Sequence, residues 1–288
     1  MTSTEEKVAR LRAAVPQSLL PLLWRTRARL EWRREAVRED ARAQMRFLLE
    51  HTRPESDLEA VARAYVGYQA RRGELRWHPA TLTSLPVEGL EHLLAARDLG
   101  RGVLLNFVHH GYYDGAFPSI ARLGVAPQIV VHPYMLEPDA PLWLRQHVKV
   151  GSMNGGAAVS AGIGTDGLLD LLARGEVVAI ASDVPGRTPL RFVGREVRGS
   201  FGAARLAEVA GAPVVVMTSE EDDRGRPLIR LHRPLDPEDF DSPQALLEAM
   251  LAIHESVLLR WPEATDLPLS RWGVEAELAA PPPAEAAS

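Results

Sequence analysis

Gly102-Val-Leu-Leu-Asn-Phe-Val-His109-His110-Gly111-Tyr112-Tyr113-Asp114-Gly115 is the stretch on which the reading of this chain turns. Residues 103–108 form a short, mainly apolar run of the kind that a strand buried on both faces requires. The run leads directly into His-x-x-x-x-Asp. In an unbroken α-helix, five residues would hold His109 and Asp114 about 140° apart, since each residue turns roughly 100°. The side chains can meet only if the backbone bends between them, and Gly111 supplies the freedom to bend. The expectation is His109 at a strand end and Asp114 at the start of the next helix. Imidazole is the usual general base near neutral pH, and a carboxylate on its second ring nitrogen fixes tautomer and orientation. The same residues also fit a plainer arrangement, with Asp114 capping a helix over 115–123, Pro118 near its first turn, and His109 half-buried.

Outward from this stretch, strands and helices alternate. The pattern predicts helix 90–99, strand 103–108, helix 116–123, strand 128–132 and a helix near 140–148. It continues with helix 166–173, strand 177–182, helix 202–210, strands 214–218 and 228–231, and helix 243–260. Such alternation argues for an α/β fold, a largely parallel central sheet flanked by helices on both faces. Residues 5–76 read as mainly helical, with breaks at Pro16, Pro21 and Pro54. The expected organisation is therefore a helical N-terminal extension over 1–78, an α/β core over 79–278, and a Pro/Ala-rich disordered tail over 279–288.

Function in an open parallel sheet collects at the carboxyl ends of its strands. Asp183, after Val177-Val-Ala-Ile-Ala-Ser182, is a second candidate there; it also fits as a turn former ahead of Pro185-Gly186. Beyond it, two short β-type runs flank Gly194-Arg195, which reads as a type II′ hairpin with Arg195 at its tip. Arg187, Arg191, Arg195 and Arg198 would offer guanidinium groups beside the cleft for a phosphate or phosphopantetheine-type donor.

Two other motifs carry less weight. Gly162-Ile-Gly164-Thr-Asp-Gly167 matches the dinucleotide fingerprint, but residues 154–161 before it make a poor buried strand. A metal site on His109, His110 and Asp114 lacks the further ligands that would complete a shell. The expectation is no metal.

The composition is that of a soluble globular protein: 46% hydrophobic and 25% charged residues, with no cysteine and hence no thiolate nucleophile or disulfide. No apolar run near the start is long enough to span a bilayer, and no signal segment is apparent, so a cytoplasmic location is expected. Residues 1–50 hold 11 Lys/Arg against 7 Asp/Glu, whereas the remainder holds 22 against 31. This basic segment places Trp24 and Trp32 among Arg25, Arg27, Arg29, Arg33 and Arg34. That pattern suits contact with an anionic membrane surface, or else a solvated helix whose arginines pair with Glu31, Glu35 and Glu39. The net charge of −5 and the lack of a recognition module argue against nucleic acid.

In order and spacing, residues from about 35 to 272 resemble the lysophospholipid acyltransferase-like superfamily. The likeness is strongest to lipid A late acyltransferases and phosphatidylinositol mannoside acyltransferases. The basic helix around Trp32–Arg42 and the approach Val87–Leu105 carry part of it. His109-His-Gly-Tyr-Tyr-Asp114 is similar to the family's HX4D-type box. Residues 172–183, Phe192-Val-Gly-Arg195 and 202–213 follow its distal block. Tyr112 and Tyr113 replace the usual Asn-Trp pair, Asp114 is the shorter acid, and a membrane anchor is missing.

The resemblance implies a fatty-acyl transferase with His109 as base, Asp114 as its partner and Asp183 as a further active-site carboxylate. His110, Gly111, Tyr112, Tyr113, Arg187, Phe192 and Arg195 become the substrate-binding candidates. The donor would be an acyl-CoA or an acyl-carrier protein, with acyl-phosphopantetheine as co-substrate and no other cofactor. The acceptor would be a hydroxyl or amine of a glycolipid at the inner face of the cell membrane. Two alternatives stay open: a soluble acyltransferase of a natural-product pathway, and a non-catalytic lipid- or acyl-thioester-binding protein.

Overall fold

Three apolar runs, residues 103–107, 177–181 and 214–217, lie side by side in the middle of one sheet because helices cover both its faces. Side chains in a strand alternate between faces. Leu104, Val178, Val214 and Val216 pack into one hydrophobic layer. Val103, Leu105, Phe107, Val177, Ala179, Val215 and Met217 pack into the other. Continuous apolarity in these strands is thus two alternating patterns superimposed.

The computed structural model describes residues 3–273. Four helices come first: α1 (Ser3–Ala13), α2 (Leu20–Trp32), α3 (Glu35–Leu49) and α4 (Leu58–Leu75). The sheet region begins with β1 (Val87–Glu88), α5 (Leu90–Asp98), β2 (Val103–Phe107), α6 (Tyr113–Ala121), β3 (Gln128–Val131), α7 (Leu142–Gly151) and β4 (Ala157–Ser160). It continues with α8 (Gly164–Ala173), β5 (Val177–Ala181), β6 (Thr188–Phe192), β7 (Arg195–Gly199), α9 (Gly202–Ala210), β8 (Val214–Glu221) and β9 (Pro227–Leu231). Helices α10 (Pro243–Arg260) and α11 (Pro268–Arg271) close the described chain. The expected tail over 279–288 lies outside the described residues.

Seven strands form the sheet in the order β1-β9-β8-β2-β5-β3-β4. All neighbours are parallel except β8 and β9, which are antiparallel. The largely parallel α/β architecture is the one the sequence pattern predicts. Central β2 has β8 on one side and β5 on the other, and the chain leaves it through α6 for β3, beyond β5. The carboxyl ends of β2 and β5 therefore open where the connections diverge, the usual place for a crevice in such a sheet.

The stretch 154–161, a poor candidate for a buried strand, supplies only the edge strand β4 over 157–160. Its side chains are all only partly buried, and an edge needs no continuous apolar run. The glycines at 162, 164 and 167 follow this outer strand, away from the sheet centre. Helix α6 begins at Tyr113, so Asp114 lies inside its first turn, not at the cap, and Pro118 falls in the second turn. There the ring withholds the N–H that would have bonded the Asp114 carbonyl.

The hairpin β6–β7 also differs. Phe192 pairs with Arg195, so the two-residue loop is Val193-Gly194, with φ of 48° and 75°. Positive φ at both positions defines a type I′ turn rather than II′. Arg195 is the first residue of β7, not the tip.

Candidate active site

Strand register builds the site. Phe107 of β2 is the parallel partner of Ala181 of β5. Two residues beyond each lie His109 and Asp183, which emerge abreast at the same edge. The Asp183 carboxylate meets His109 twice: Oδ2 accepts the His109 backbone N–H at 2.8 Å, and Oδ1 lies 2.8 Å from the ring Nδ1. Burial acts to raise the Asp183 carboxyl, but His109 and Arg271 hold it below its ordinary value. An ionised carboxylate can only accept, so Nδ1 carries the proton. Nε2 is left with its lone pair, on a side chain that is 16% exposed.

The imidazole is poised as a neutral base. Burial, followed by the Arg271 guanidinium, lowers its proton affinity, and Asp183 opposes them. Arg271 is fixed by Asp266, its Nη2 lying 2.6 Å from Oδ2 and its Nε donating to the Asp266 carbonyl at 2.7 Å. The backbone N–H of Asp266 donates to the His109 carbonyl at 2.8 Å. Buried Arg72 completes this layer, pairing with Asp266 and lying over the Tyr113 ring. Tyr113 in turn meets His109 edge-on, with ring centroids 4.7 Å apart.

Asp114, expected to orient His109, has other partners. Its Oδ2 accepts from Arg76 Nε at 2.8 Å and lies 3.5 Å from His147 Nδ1. Burial works to raise this carboxyl, but Arg76, His147 and Arg72 hold it well below the usual range. The reason is helical geometry. Once the chain enters α6 at Tyr113, Asp114 projects toward α4 and α7, whereas His109 stays with β5.

Beneath the site runs a buried polar chain. Asn106 Nδ2 donates to the Ile180 carbonyl and to Ser182 Oγ at 3.1 and 2.7 Å. Its Oδ1 accepts from His254 Nε2 at 2.9 Å. Burial pushes His254 down to about 3. These contacts tie the ends of β2 and β5 to α10.

The turn between His109 and α6 depends on Gly111, which has φ of 62° and whose Cβ, if present, would stand 2.3 Å from Ser219 Oγ. That hydroxyl accepts the Tyr112 N–H at 2.8 Å. Tyr112 and His110 face away from His109, toward Tyr68 and Trp261. His110 Nε2 donates to the Trp261 carbonyl at 2.9 Å, and burial pushes its ring down to about 4.

The hairpin candidates fall outside this constellation. Phe192 is buried against Trp272. Arg195 lies over Phe47 and pairs with Glu50 at 2.9 Å, which is the α3 side of the hairpin. Arg187 is exposed. Of the sequence candidates, the structure brings together His109, Tyr113 and Asp183, with Asp114 next in α6 on separate partners.

The structure adds Arg271, Asp266, Arg72, Arg76 and His147, none of which sequence reading found. Arg72 and Arg76 carried a signal, since residues four apart share a helix face. Asp266, Arg271 and His147 carried none.

No family model matches the chain, and no curated protein does. Among solved structures it is similar to the crystal structure of the 1-acyl-sn-glycerophosphate (LPA) acyltransferase PlsC from Thermotoga maritima. The identity is 15% and the TM-score 0.41, covering 85% of this chain and 95% of that one.

Proposed function

We propose that the protein is an acyltransferase that moves a fatty-acyl group from acyl-CoA or an acyl-carrier protein to a hydroxyl or amine of a glycolipid-type acceptor. The observation that carries this reading is the His109–Asp183 pair, with Nδ1 held by the carboxylate at 2.8 Å and Nε2 left as the free base. The order of motifs along the sequence supplies the reaction class.

The chemistry follows from that geometry. His109 Nε2 takes the proton of the acceptor hydroxyl or amine as its oxygen or nitrogen attacks the thioester carbonyl. The new bond to carbon forms, the carbon–sulfur bond breaks, and the imidazolium returns the proton to the departing thiolate. Asp183 stabilises the transient imidazolium, the orienting role of a triad acid without a protein nucleophile. Arg271, 3.7 Å from Asp183, damps the proton affinity of the ring. Thioester energy drives the transfer.

The exposed face of the N-terminal helices supports action at a membrane surface. Leu11 of α1 and Leu22 and Leu30 of α2 are exposed, alternating with Arg25 and Arg29. Among the described residues no helix is long and apolar enough to cross a bilayer. The acceptor and donor are tested by incubating the full chain with acyl-CoA and acyl-carrier donors and candidate glycolipids. Thiol release and the intact mass of the acceptor are then read. Transfer by the wild type that disappears in His109→Ala supports the reading, and undiminished transfer in that variant contradicts it.

A further inference from the structure

A groove of about 470 Å³ opens between α2, α4 and the carboxyl end of β8, on the side of the Gly111 turn away from His109. Arg25 and Arg29 of α2 and Arg63 and Arg71 of α4 line it, with Trp24 and Trp261 among its walls. Spacing explains the convergence. Residues 25 and 29, four apart, lie on one face of α2, and residues 63 and 71, two turns apart, lie on the facing side of α4. Neighbouring arginines are spent elsewhere: Arg27 pairs with Glu31 and Glu74, Arg38 with Glu35, and Arg42 with Glu59. None of the four groove guanidiniums has an ion-pair partner among the described residues. Two carboxylates, Glu221 and Glu263, share the walls, so the groove is net positive.

Arg71 is the organised member. It lies over the rings of Trp24 and Tyr112, 5.6 and 5.3 Å from their centroids, and its Nε is buried with no hydrogen-bond partner among the described residues. The two rings fix a planar fork of donors in advance of any ligand, which is the way a bidentate oxyanion site is built. A solvated surface arginine would not be held between aromatic faces with a donor withdrawn from water.

We infer that this groove is a binding site for a phosphate ester, with Arg71 taking the phosphoryl oxygens at its floor and Arg25, Arg29 and Arg63 completing the charge. The ester could reach it as a soluble molecule or as the headgroup of an anionic lipid. The site goes beyond acyl transfer and is tested by binding alone.

The test uses the full chain at constant ionic strength. One arm titrates inorganic phosphate and glycerol 3-phosphate, read by tryptophan fluorescence, since Trp24 and Trp261 line the groove, and by calorimetry. The other measures co-sedimentation with vesicles of phosphatidylcholine, alone or mixed with phosphatidylglycerol. Loss of one charge-assisted fork should weaken binding roughly tenfold or more in Arg71→Gln. The double variant R29A/R63A, at two exposed positions, carries the same test if Arg71→Gln fails to fold. Saturation by the soluble esters that weakens in the variants supports a soluble ligand. Binding confined to phosphatidylglycerol vesicles, weakened by the same variants, supports a lipid headgroup. No saturable response in either arm, or variants that bind like the wild type, overturns the site.

Discussion

His109 and Asp183 stand 74 positions apart in sequence, yet each lies two residues past a registered pair, Phe107 and Ala181, on adjacent parallel strands. The carboxylate grips both the backbone N–H and the ring Nδ1 of His109, so it sets the position of the base as well as its tautomer. Side-chain nitrogen NMR should report the Nδ1–H tautomer at neutral pH. Asp183→Asn should abolish that single form, whereas a wild type in the Nε2–H form would contradict the pairing.

The pH dependence of the reaction has a definite sign. His109 is shifted below its ordinary value of 6.5 by burial and Arg271. The neutral base therefore persists into mildly acid solution, and the acid limb of the transfer rate should have its inflection below 6.5. Arg271→Gln should move this inflection upward, because it removes a cation that disfavours the imidazolium. A downward shift would rule out that electrostatic role.

Asp114 is expected to matter for stability more than for proton transfer. It is fully buried against Arg76. Breaking such a pair from one side leaves an uncompensated charge and costs about 3 kcal/mol or more. Urea unfolding of Asp114→Asn should show that loss, with the acid limb of the rate profile unmoved. A stable variant with a displaced acid limb would instead tie Asp114 to His109.

Acid should destabilise the fold before the carboxylates titrate. His110 and His254 are buried, with folded values pushed down to about 4 and about 3. Unfolding lets both rise toward 6.5, so the unfolded chain binds more protons in this interval and stability falls as pH drops through it. Each could contribute on the order of 3 kcal/mol of loss between pH 7 and 4. The depressed carboxyls of Asp183, Asp114 and Asp266 add loss in the same direction at lower pH. Urea melts across pH 4 to 7 measure this, and a flat profile would contradict it.

Gly111 offers a steric test. A Cβ there would meet the Ser219 side chain at 2.3 Å from a backbone with φ of 62°. Gly111→Ala should lower stability by about 2 kcal/mol or more, and Ser219→Gly in the same chain should restore part of it. Thermal unfolding of the single and double variants reads the coupling, and no difference between the two would contradict the contact.

What was legible in the sequence was burial. The runs at 103–107, 177–181 and 214–217 announced central strands, and the periodicity of 202–210 and 243–260 fixed α9 and α10 to the residue. Edge elements are harder to read: β4 (Ala157-Ala-Val-Ser160) carries small, only partly buried side chains, and β1 has only two residues. At the site, His109 and Asp183 are legible as strand-end residues, but pattern alone couples the histidine to its near neighbour Asp114, whereas its partner is Asp183. Nearness along the chain is a poor guide there. Strand register joins His109 to a residue 74 positions away, while one helical turn carries Asp114 to Arg76. Arg195 differs from expectation by one residue of turn placement: the loop is Val193-Gly194, so Arg195 pairs with Phe192 at the start of β7 and does not occupy the tip.

The decisive measurement is the rate of acyl transfer from a thioester donor by the wild type, His109→Ala, Asp183→Asn and Asp114→Asn, each checked for folding. With Asp183 as the orienting acid, the first two variants should lose roughly a thousandfold or more, and folded Asp114→Asn should keep most of its rate. A folded Asp183→Asn enzyme that transfers as fast as the wild type would contradict the account.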